Sequence, residues 1–208
     1  MFKRMFKNKK KKMAFDLFIP LGIACRPAHY LRDMNLRFFS CPLDWMMDYT
    51  LGTALELFKN NFDDFFMNIK EDKSYVGLYK KVQDVSNRII SIHHFRPDYD
   101  IDTELSIFRK IMLKRYRRLN IFLRKAKNIC IVSNRNDTIE ILSEFLKEFN
   151  NLYPWLKITF INIKNSDNKK IEEFIINDKL SIIHYSFVDV NRNNDASNPG
   201  AWVGNEQE

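Results

Sequence analysis

The chain has 208 residues, enough for one domain with a substantial hydrophobic core. Hydrophobic residues make up 45% of it and charged residues 29%, with only 5 Gly and 6 Pro, which excludes a disordered chain and argues against a loop-rich β-sandwich. The net charge of +8 does not by itself indicate nucleic-acid binding, because six lysines and one arginine fall within residues 1–12. No nucleic-acid recognition motif accompanies them or the second basic cluster near residues 114–127.

The basic start of the chain is expected to be a disordered tail over residues 1–13, followed by a single α/β domain over residues 14–208. The positive charge of the tail can attract phosphate groups or an anionic membrane surface. A lipoprotein signal with Cys25 as the lipidated residue is an alternative, but Asp16 and Pro20 interrupt the apolar stretch that such a signal needs. No apolar run approaches the ~20 residues needed to span a bilayer.

The first half of the domain begins with a short strand and a helix. The apolar run at residues 15–20 predicts a buried strand, and residues 26–34 predict a helix with Pro27 in its first turn. A second helix is expected over residues 45–59 and a minor strand over residues 74–79.

The second half alternates between apolar runs and helical patterns. Strands are predicted at residues 88–93, 129–133, 157–163 and 180–189, and helices at residues 103–128, 138–150 and 169–177. This alternation predicts the α/β class, with a largely parallel sheet and helices on both faces.

Functional sites in open α/β sheets form beyond the carboxyl ends of the strands. The polar residues at or just past the predicted ends belong to residues 21–25, 93–94 and 133–137, together with Asn162 and Asp189. The sequence therefore predicts a site at one sheet edge, where a cysteine and two histidines meet.

Three cysteines are present, Cys25, Cys41 and Cys130. Their odd number and wide spacing argue against a disulfide framework and a zinc site, and they fit a reducing compartment, the cytoplasm. Cys25 follows a predicted strand and opens a predicted helix, where the helix dipole and free backbone N–H groups stabilise a thiolate and an oxyanion. Cys25 is therefore the candidate nucleophile, although a cysteine can also be a small buried core residue.

His93 ends an Ile-rich strand and is the candidate general base, whereas His94 should point to the opposite side of that strand. His29 lies one helical turn after Cys25 on the same face and is an alternative base. A third group should orient the imidazole, and spacing leaves four candidates open: Asp44, Asp98, Asn134 and Asp189.

Signals for other enzyme classes are missing from the sequence. It contains no GxGxxG, GxxxxGK[ST], GxSxG or HExxH motif. His93, His94 and Asp98 could ligate a metal, but their spacing is a weak signal. Neither a metal nor another cofactor is therefore expected.

Several short motifs resemble those of one known family. They are LGIAC at residues 21–25, SCPLDW at 40–45 and IHHF at 92–95, with smaller matches at Tyr30-Leu31, Leu36-Arg37 and Asn61-Phe62. Together they are similar to the LGxxC and S-x-PFDW motifs and the His-containing strand of a bacterial domain-of-unknown-function family described as papain-like cysteine peptidases. The resemblance covers roughly residues 15–135, with a weaker echo at residues 202–205.

This resemblance implies a Cys–His enzyme with Cys25 as nucleophile, His93 as its partner and Asp44 as a family hallmark. Leu43 stands where the family pattern has Phe, and His94 stands where many relatives have Asp. The resemblance also implies a papain-like α+β fold, which differs from the parallel α/β pattern of the second half. It further implies that family members continue past the point where this chain ends.

The leading hypothesis is a Cys–His hydrolase or acyl-transfer enzyme that acts on a peptide, acyl or glycan-related substrate. In it, Cys25 attacks the carbonyl carbon, His93 acts as the base and Asp44 supports the site. The alternative is a non-catalytic or transferase-type α/β domain that binds a phosphorylated or sugar-bearing ligand. The enzyme requires a partly open Cys25 near an imidazole, whereas the binding domain requires a buried Cys25 and an open basic cleft.

Overall fold

A computed structural model describes residues 13–189. The predicted basic tail, apart from Met13, and the motif echo at residues 202–205 lie outside the described residues. The strands are β1 (Leu17–Pro20), β2 (Met46–Met47), β3 (Ile69–Asp72), β4 (Lys80–Asp84), β5 (Ile89–Phe95), β6 (Asn128–Ser133), β7 (Lys157–Asn165), β8 (Lys170–Ile175) and β9 (Leu180–Phe187). The helices are α1 (Arg26–Asp33), α2 (Leu51–Lys59), α3 (Ile101–Lys125) and α4 (Ile139–Leu152).

The larger sheet has five strands in the order β1-β6-β7-β9-β8. Four of them are parallel, and β8 runs antiparallel to β9 at the edge. Cys130 and Val132 of β6 pack with Leu31 of α1 on one face, while Ile129 and Ile131 enter the main core with residues of α2, α3 and α4. Burial on both faces explains why β6 is a continuous apolar run. The predicted α/β class, with helices on both faces of a largely parallel sheet, is confirmed.

The smaller sheet is antiparallel, in the order β2-β5-β4-β3. The sequence did not predict it as a separate sheet. Residues 74–79, expected to be a minor strand, instead connect β3 to β4. The helix expected from residue 45 begins only at Leu51, because β2 pairs with β5 and the hydroxyl of Thr50 then caps the helix by accepting from Thr53 N–H at 3.0 Å.

The helix predicted at residues 169–177 is wrong, because this segment forms strand β8. Its backbone pairs with β9 along six residues, and a turn closed by Asn177 joins the two strands. The Asn177 side chain accepts from Lys179 N–H at 2.8 Å and from Leu180 N–H at 2.9 Å. Hairpin pairing at the sheet edge therefore determines the structure of this segment.

Helix α3 has 25 residues and contacts β5 of the smaller sheet. The carboxylate of Asp100 caps it by accepting from Thr103 N–H at 2.9 Å. Phe108, Met112 and Leu119 lie on its buried face, whereas most of its basic residues lie on the outer face. The helix contacts β5 through Phe108 and His94, and it contacts the SCPLDW segment through Arg118, which donates to the carbonyl oxygen of Ser40 at 3.2 Å.

Candidate active site

The loop between β1 and α1 is held closely against the end of β6. Asn134, the first residue after β6, accepts a hydrogen bond from Ile23 N–H at 3.1 Å. A Cβ atom at Gly22 would lie 2.2 Å from Asn134 Oδ1 and 2.5 Å from Pro27 Cγ. Only glycine fits there, so the glycine of the LGxxC motif allows the loop that presents Cys25.

Arg135 joins three segments at the same edge of the parallel sheet. Although it is a charged residue, it is 2% exposed. Its Nε donates to the carbonyl oxygen of Leu21 at 3.1 Å and its Nη2 to that of Tyr49 at 2.7 Å. Its backbone exchanges two hydrogen bonds with the Asn162 side chain, each 2.9 Å. These contacts fix the LGIAC loop to the start of α2 and to β7.

Cys25 lies at the N-cap of α1 and is partly exposed. Burial raises the pKa of its thiol above the ordinary value, against the smaller opposing effect of Arg26. The guanidinium of Arg26 pairs with the buried carboxylate of Asp189 beyond β9. The thiol makes no hydrogen bond to any histidine among residues 13–189.

The other two cysteines are fully buried and free. Burial raises the pKa of Cys130 to about 12 and that of Cys41 well above its ordinary value. Cys25 is therefore the cysteine of this chain that solvent and a substrate can reach.

His93 lies in the second sheet, so the prediction that both histidines sit at the carboxyl edge of the parallel sheet is wrong. Its imidazole packs edge to face on Trp45, with ring centroids 5.7 Å apart. Partial burial lowers its pKa.

The strand register separates His93 from the Cys25 loop. Met46 pairs with Ser91, which places His93 beyond the Trp45 end of β2. The LGIAC loop instead contacts the residue after the other end of β2, through Asp48 N–H donating to the carbonyl oxygen of Ile23 at 3.3 Å. Among the described residues, no hydrogen bond joins the two predicted partners, Cys25 and His93.

His94 has different neighbours from His93, and it lies where the pairing of β5 with β4 is irregular. Its Nδ1 lies 2.8 Å from Ser91 Oγ, and its ring packs on Phe108 with centroids 5.1 Å apart. Burial, assisted by Arg115 and His93, lowers the pKa of His94 to about 3. His94 is therefore a neutral imidazole at physiological pH.

Asp44, the acidic residue of the SCPLDW segment, is buried. Its Oδ2 accepts from Arg37 Nη1 at 3.1 Å and from Cys41 N–H at 3.0 Å. Burial raises its pKa to about 7, and the nearby Arg37 acts in the opposite direction. Asp44 does not contact an imidazole; it organises the loop that carries Trp45.

The other three candidates for orienting an imidazole have different partners or positions. Asn134 accepts from Ile23 N–H, Asp189 pairs with Arg26, and Asp98 is exposed. None forms a hydrogen bond with a histidine within the part of the chain that the structure describes.

His29 occupies the same face of α1 as Cys25. Its backbone N–H donates to the carbonyl oxygen of Cys25 at 3.0 Å, and its Nδ1 lies 2.8 Å from Asp33 Oδ2. Cys25, His29 and Asp33 therefore follow one another at four-residue intervals along the helix. His29, the alternative base predicted from the sequence, therefore lies beside the carboxylate of Asp33.

A cleft of about 460 Å³ opens next to the Cys25 loop. Ile23 lines it on one side, and Asp48, Arg135, Asp137 and Thr138 line it on the others. It lies where α2 and α4 begin. The sequence analysis placed residues 133–137 at this edge but missed the role of Arg135. The available signal was the position of this charged residue, two residues after an apolar strand.

Within residues 13–189, no group of three His, Cys, Asp or Glu side chains could hold a metal ion. In the same range no helix is both long enough and apolar enough to cross a membrane.

A largely parallel sheet with a partly exposed cysteine at the start of the helix after its first strand defines an α/β protein with a candidate cysteine nucleophile. The family model "Putative papain-like cysteine peptidase (DUF1796)" matches residues 16–183, and the chain belongs to that family. The match confirms the family predicted from the sequence, over a range that ends within β9. Searches of curated proteins and of solved structures gave no significant match.

Proposed function

We propose that this protein is a cysteine peptidase or related acyl hydrolase with Cys25 as its nucleophile. The observation that carries the proposal is the position of Cys25, which is partly exposed at the start of α1 and two residues from a side chain that lines the 460 Å³ cleft. The family description supports the same reaction class. Peptides, acyl compounds and glycan-related amides are the candidate substrates.

In this reaction the Cys25 thiol transfers its proton to an imidazole while its sulfur forms a bond to the carbonyl carbon. In the first turn of α1, Pro27 has no N–H and the N–H of His29 donates to the carbonyl oxygen of Cys25 at 3.0 Å. We therefore propose the N–H of Ala28 as the helix donor for the resulting oxyanion. The intermediate then expels the leaving group, which takes the proton from the imidazolium, and water hydrolyses the thioester. Each step uses groups that the chain and bulk water supply.

We propose His93 as the base, on the strength of the motif resemblance, and Asp44 as a positioning residue. Asp44 would act through Arg37 and Trp45, since Trp45 is the side chain on which the His93 ring packs. Because the structure shows no hydrogen bond between His93 and Cys25 among the described residues, the proposal requires the pair to form when substrate binds. His29 is the competing base, since it already shares a helix face with the thiol.

The test uses p-nitrophenyl acetate as a generic acyl donor. We expect burst release of p-nitrophenolate with acetylation of Cys25, located by peptide mass spectrometry. Cys25→Ala should abolish the burst, and His93→Gln should slow it by about 10²-fold or more. The matched control, His184→Gln, replaces another partly buried histidine on β9 and should leave the rate unchanged.

A burst that survives Cys25→Ala would overturn the nucleophile assignment. A rate that falls with His29→Gln and not with His93→Gln would keep Cys25 but transfer the base role to His29.

The competing ligand-binding function predicts a basic cleft, and the cleft beside Cys25 does not have that character. The charged groups that line it are the carboxylates of Asp48 and Asp137 and the guanidinium of Arg135, which Asp137 contacts at 3.5 Å. This charge balance disfavours a phosphorylated ligand there and supports the hydrolase proposal.

A further inference from the structure

A second cavity, separate from the Cys25 cleft, lies between the end of β5 and one face of α3. Its volume is about 270 Å³. His94 and Arg96 line it from the strand side, and Arg115 lines it from the helix. At ~30 Å³ per water molecule it has room for roughly nine waters, or a ligand of about ten non-hydrogen atoms.

The helix wall of this cavity is apolar and partly uncovered. Phe108 and Met112 are buried at its base. Ile107 and Ile111, one turn apart at its mouth, are 52% and 44% exposed. Two neighbouring isoleucines on the open side of a helix leave apolar surface in water that a ligand could cover.

One charged pair in the cavity wall neutralises itself. Glu104, 6% exposed, accepts from Arg96 Nε and from Arg96 N–H, both at 2.7 Å. The Arg96 guanidinium also stacks on the ring of Tyr99, 3.5 Å from its centroid. This end of the cavity therefore contributes no net charge.

Arg115 is the charge that remains. It is partly buried and makes no ion pair with any carboxylate of the described residues. Its Nη1 lies 3.8 Å from the sulfur of Met112, which is a weak acceptor. The nearby carboxylate of Asp44 is already held by Arg37 at 3.1 Å. Asp44 attracts the Arg115 guanidinium electrostatically, whereas Arg37 and Arg118 repel it. The guanidinium therefore keeps hydrogen-bonding capacity for a carboxylate.

His94 completes the polar end of the cavity. Its Nδ1 is engaged with Ser91 Oγ at 2.8 Å, and its buried ring is neutral. It therefore adds a hydrogen-bonding group without a second positive charge. The lining as a whole carries one net positive charge, which matches a ligand with a single negative charge.

We propose that this cavity binds a small monocarboxylate with an unbranched apolar body, its carboxylate on Arg115 and its chain against Ile107 and Ile111. The site is independent of Cys25 and of the hydrolase proposal. A medium-chain fatty acid such as octanoate has the required length, single charge and apolar surface.

The test is calorimetric titration of the full chain with sodium octanoate below its micelle concentration. We expect saturable binding with one site. Binding should weaken roughly 10- to 100-fold in Arg115→Met, which removes the charge and keeps the apolar stem. The matched control is Arg117→Met, on an exposed position of the same helix, and it should bind octanoate as the wild type does.

A second pair of variants tests the apolar wall without disturbing the buried groups. Ile111→Asp places a negative charge at the cavity mouth and should abolish binding. Ile121→Asp makes the same change at another exposed position of α3, outside the cavity, and should not affect binding. Circular dichroism and thermal unfolding verify that each variant is folded.

Three results would overturn the proposal. One is the absence of saturable octanoate binding to the wild type, and another is equal affinity in the folded Arg115→Met variant. The third is competition by acetate or inorganic phosphate as effective as that by octanoate, which would indicate a site for a bare anion. Acylation of Cys25 by p-nitrophenyl acetate is read separately, so either proposal can fail without the other.

Discussion

The indole of Trp45 and the imidazole of His93 pack edge to face, with centroids 5.7 Å apart and an interplanar angle of 72°. This contact joins the SCPLDW and IHHF motifs, which lie far apart in the chain, through the pairing of β2 with β5. The guanidinium groups of Arg32 and Arg37 lie 5.8 Å and 6.0 Å from the centroid of the same indole. The tryptophan of the motif is thus the centre of a cluster that links α1 to His93.

Replacing Trp45 should change the titration of His93. The pKa of His93 is lowered by partial burial, and the indole provides part of that burial. Trp45→Leu should therefore raise the His93 pKa toward its ordinary value, as followed by NMR titration of the imidazole C–H signals. Trp155→Leu removes a similarly large ring elsewhere and should leave His93 unchanged. An unchanged His93 pKa in Trp45→Leu would contradict this account.

Asp44 should make the protein less stable as the pH rises. Its pKa is about 7 in the folded protein because of burial, against ~3.9 in an unfolded chain. Between these values the folded state keeps a proton that the unfolded state has released, so the free energy of unfolding falls as pH increases, by at most about 1.4 kcal/mol per pH unit. Asp44→Asn should remove this contribution, as measured by urea unfolding between pH 5 and pH 8.

The control for that measurement is Asp63→Asn, at an exposed position. The difference in unfolding free energy between wild type and Asp63→Asn should stay constant over the same range. A constant difference between wild type and Asp44→Asn would show that Asp44 is ionised throughout, held by Arg37.

His94 should act in the opposite direction. Its pKa is about 3 in the folded protein because of burial and ~6.5 in the unfolded chain. Below pH ~6.5 the unfolded state takes up a proton that the folded state rejects, so stability is lost as the pH falls. His94→Gln should remove this loss, and the imidazole signals of His94 in the wild type should still be those of the neutral ring at pH 5. A titration midpoint near 6.5 for His94 would contradict its burial against Phe108.

The thiol of Cys25 should be unreactive in the resting protein. Burial raises the pKa of the thiol, and among residues 13–189 no histidine forms a hydrogen bond with it, so alkylation by iodoacetamide should reach its half-maximal rate at a pH above that of a free thiol. Peptide mass spectrometry should find the label on Cys25 and not on the buried Cys41 and Cys130. Fast labelling at pH 6 would instead show a thiolate already formed in the free protein.

The parallel sheet could be predicted because its strands carry the signal that burial on both faces produces. Residues 128–133 and 157–163 are short apolar runs between helical patterns. In the small antiparallel sheet, β5 gave such a signal and was predicted, whereas β3 and β4 did not, since they consist mainly of charged residues. In β8, Ile171, Phe174 and Ile175 have the spacing of a helix face, yet backbone pairing with β9 determines the structure.

The candidate site was predictable only in part, because local sequence does not reveal contacts between distant parts of the chain. The position of Cys25 follows from local sequence, a strand and then a helix start. His93 was misplaced because a strand end shows neither which sheet the strand joins nor its direction. Arg135 was missed because its acceptors, the carbonyl groups of Leu21 and Tyr49, lie 114 and 86 residues away in the chain. Spacing cannot reveal contacts of that range.

Two glycines give opposite predictions for the same substitution. At Gly22, a Cβ would lie 2.2 Å from Asn134 Oδ1 and 2.5 Å from Pro27 Cγ, so Gly22→Ala must displace the loop and break the hydrogen bond from Ile23. We expect a loss of about 2 kcal/mol or more in the free energy of unfolding. At Gly52, exposed in α2, the nearest atom to a Cβ is Thr50 Oγ1 at 3.6 Å. Gly52→Ala should stabilise the protein by up to about 1 kcal/mol, through the greater helix propensity of Ala.

Urea unfolding of both variants measures these two changes. The Gly22→Ala variant should also lose acetylation of Cys25 by p-nitrophenyl acetate, because the displaced loop carries the thiol, whereas Gly52→Ala should retain it. If Gly22→Ala is as stable as the wild type and is acetylated at the same rate, the close approach of Gly22 to Asn134 does not position Cys25. The glycine of the motif would then require another explanation.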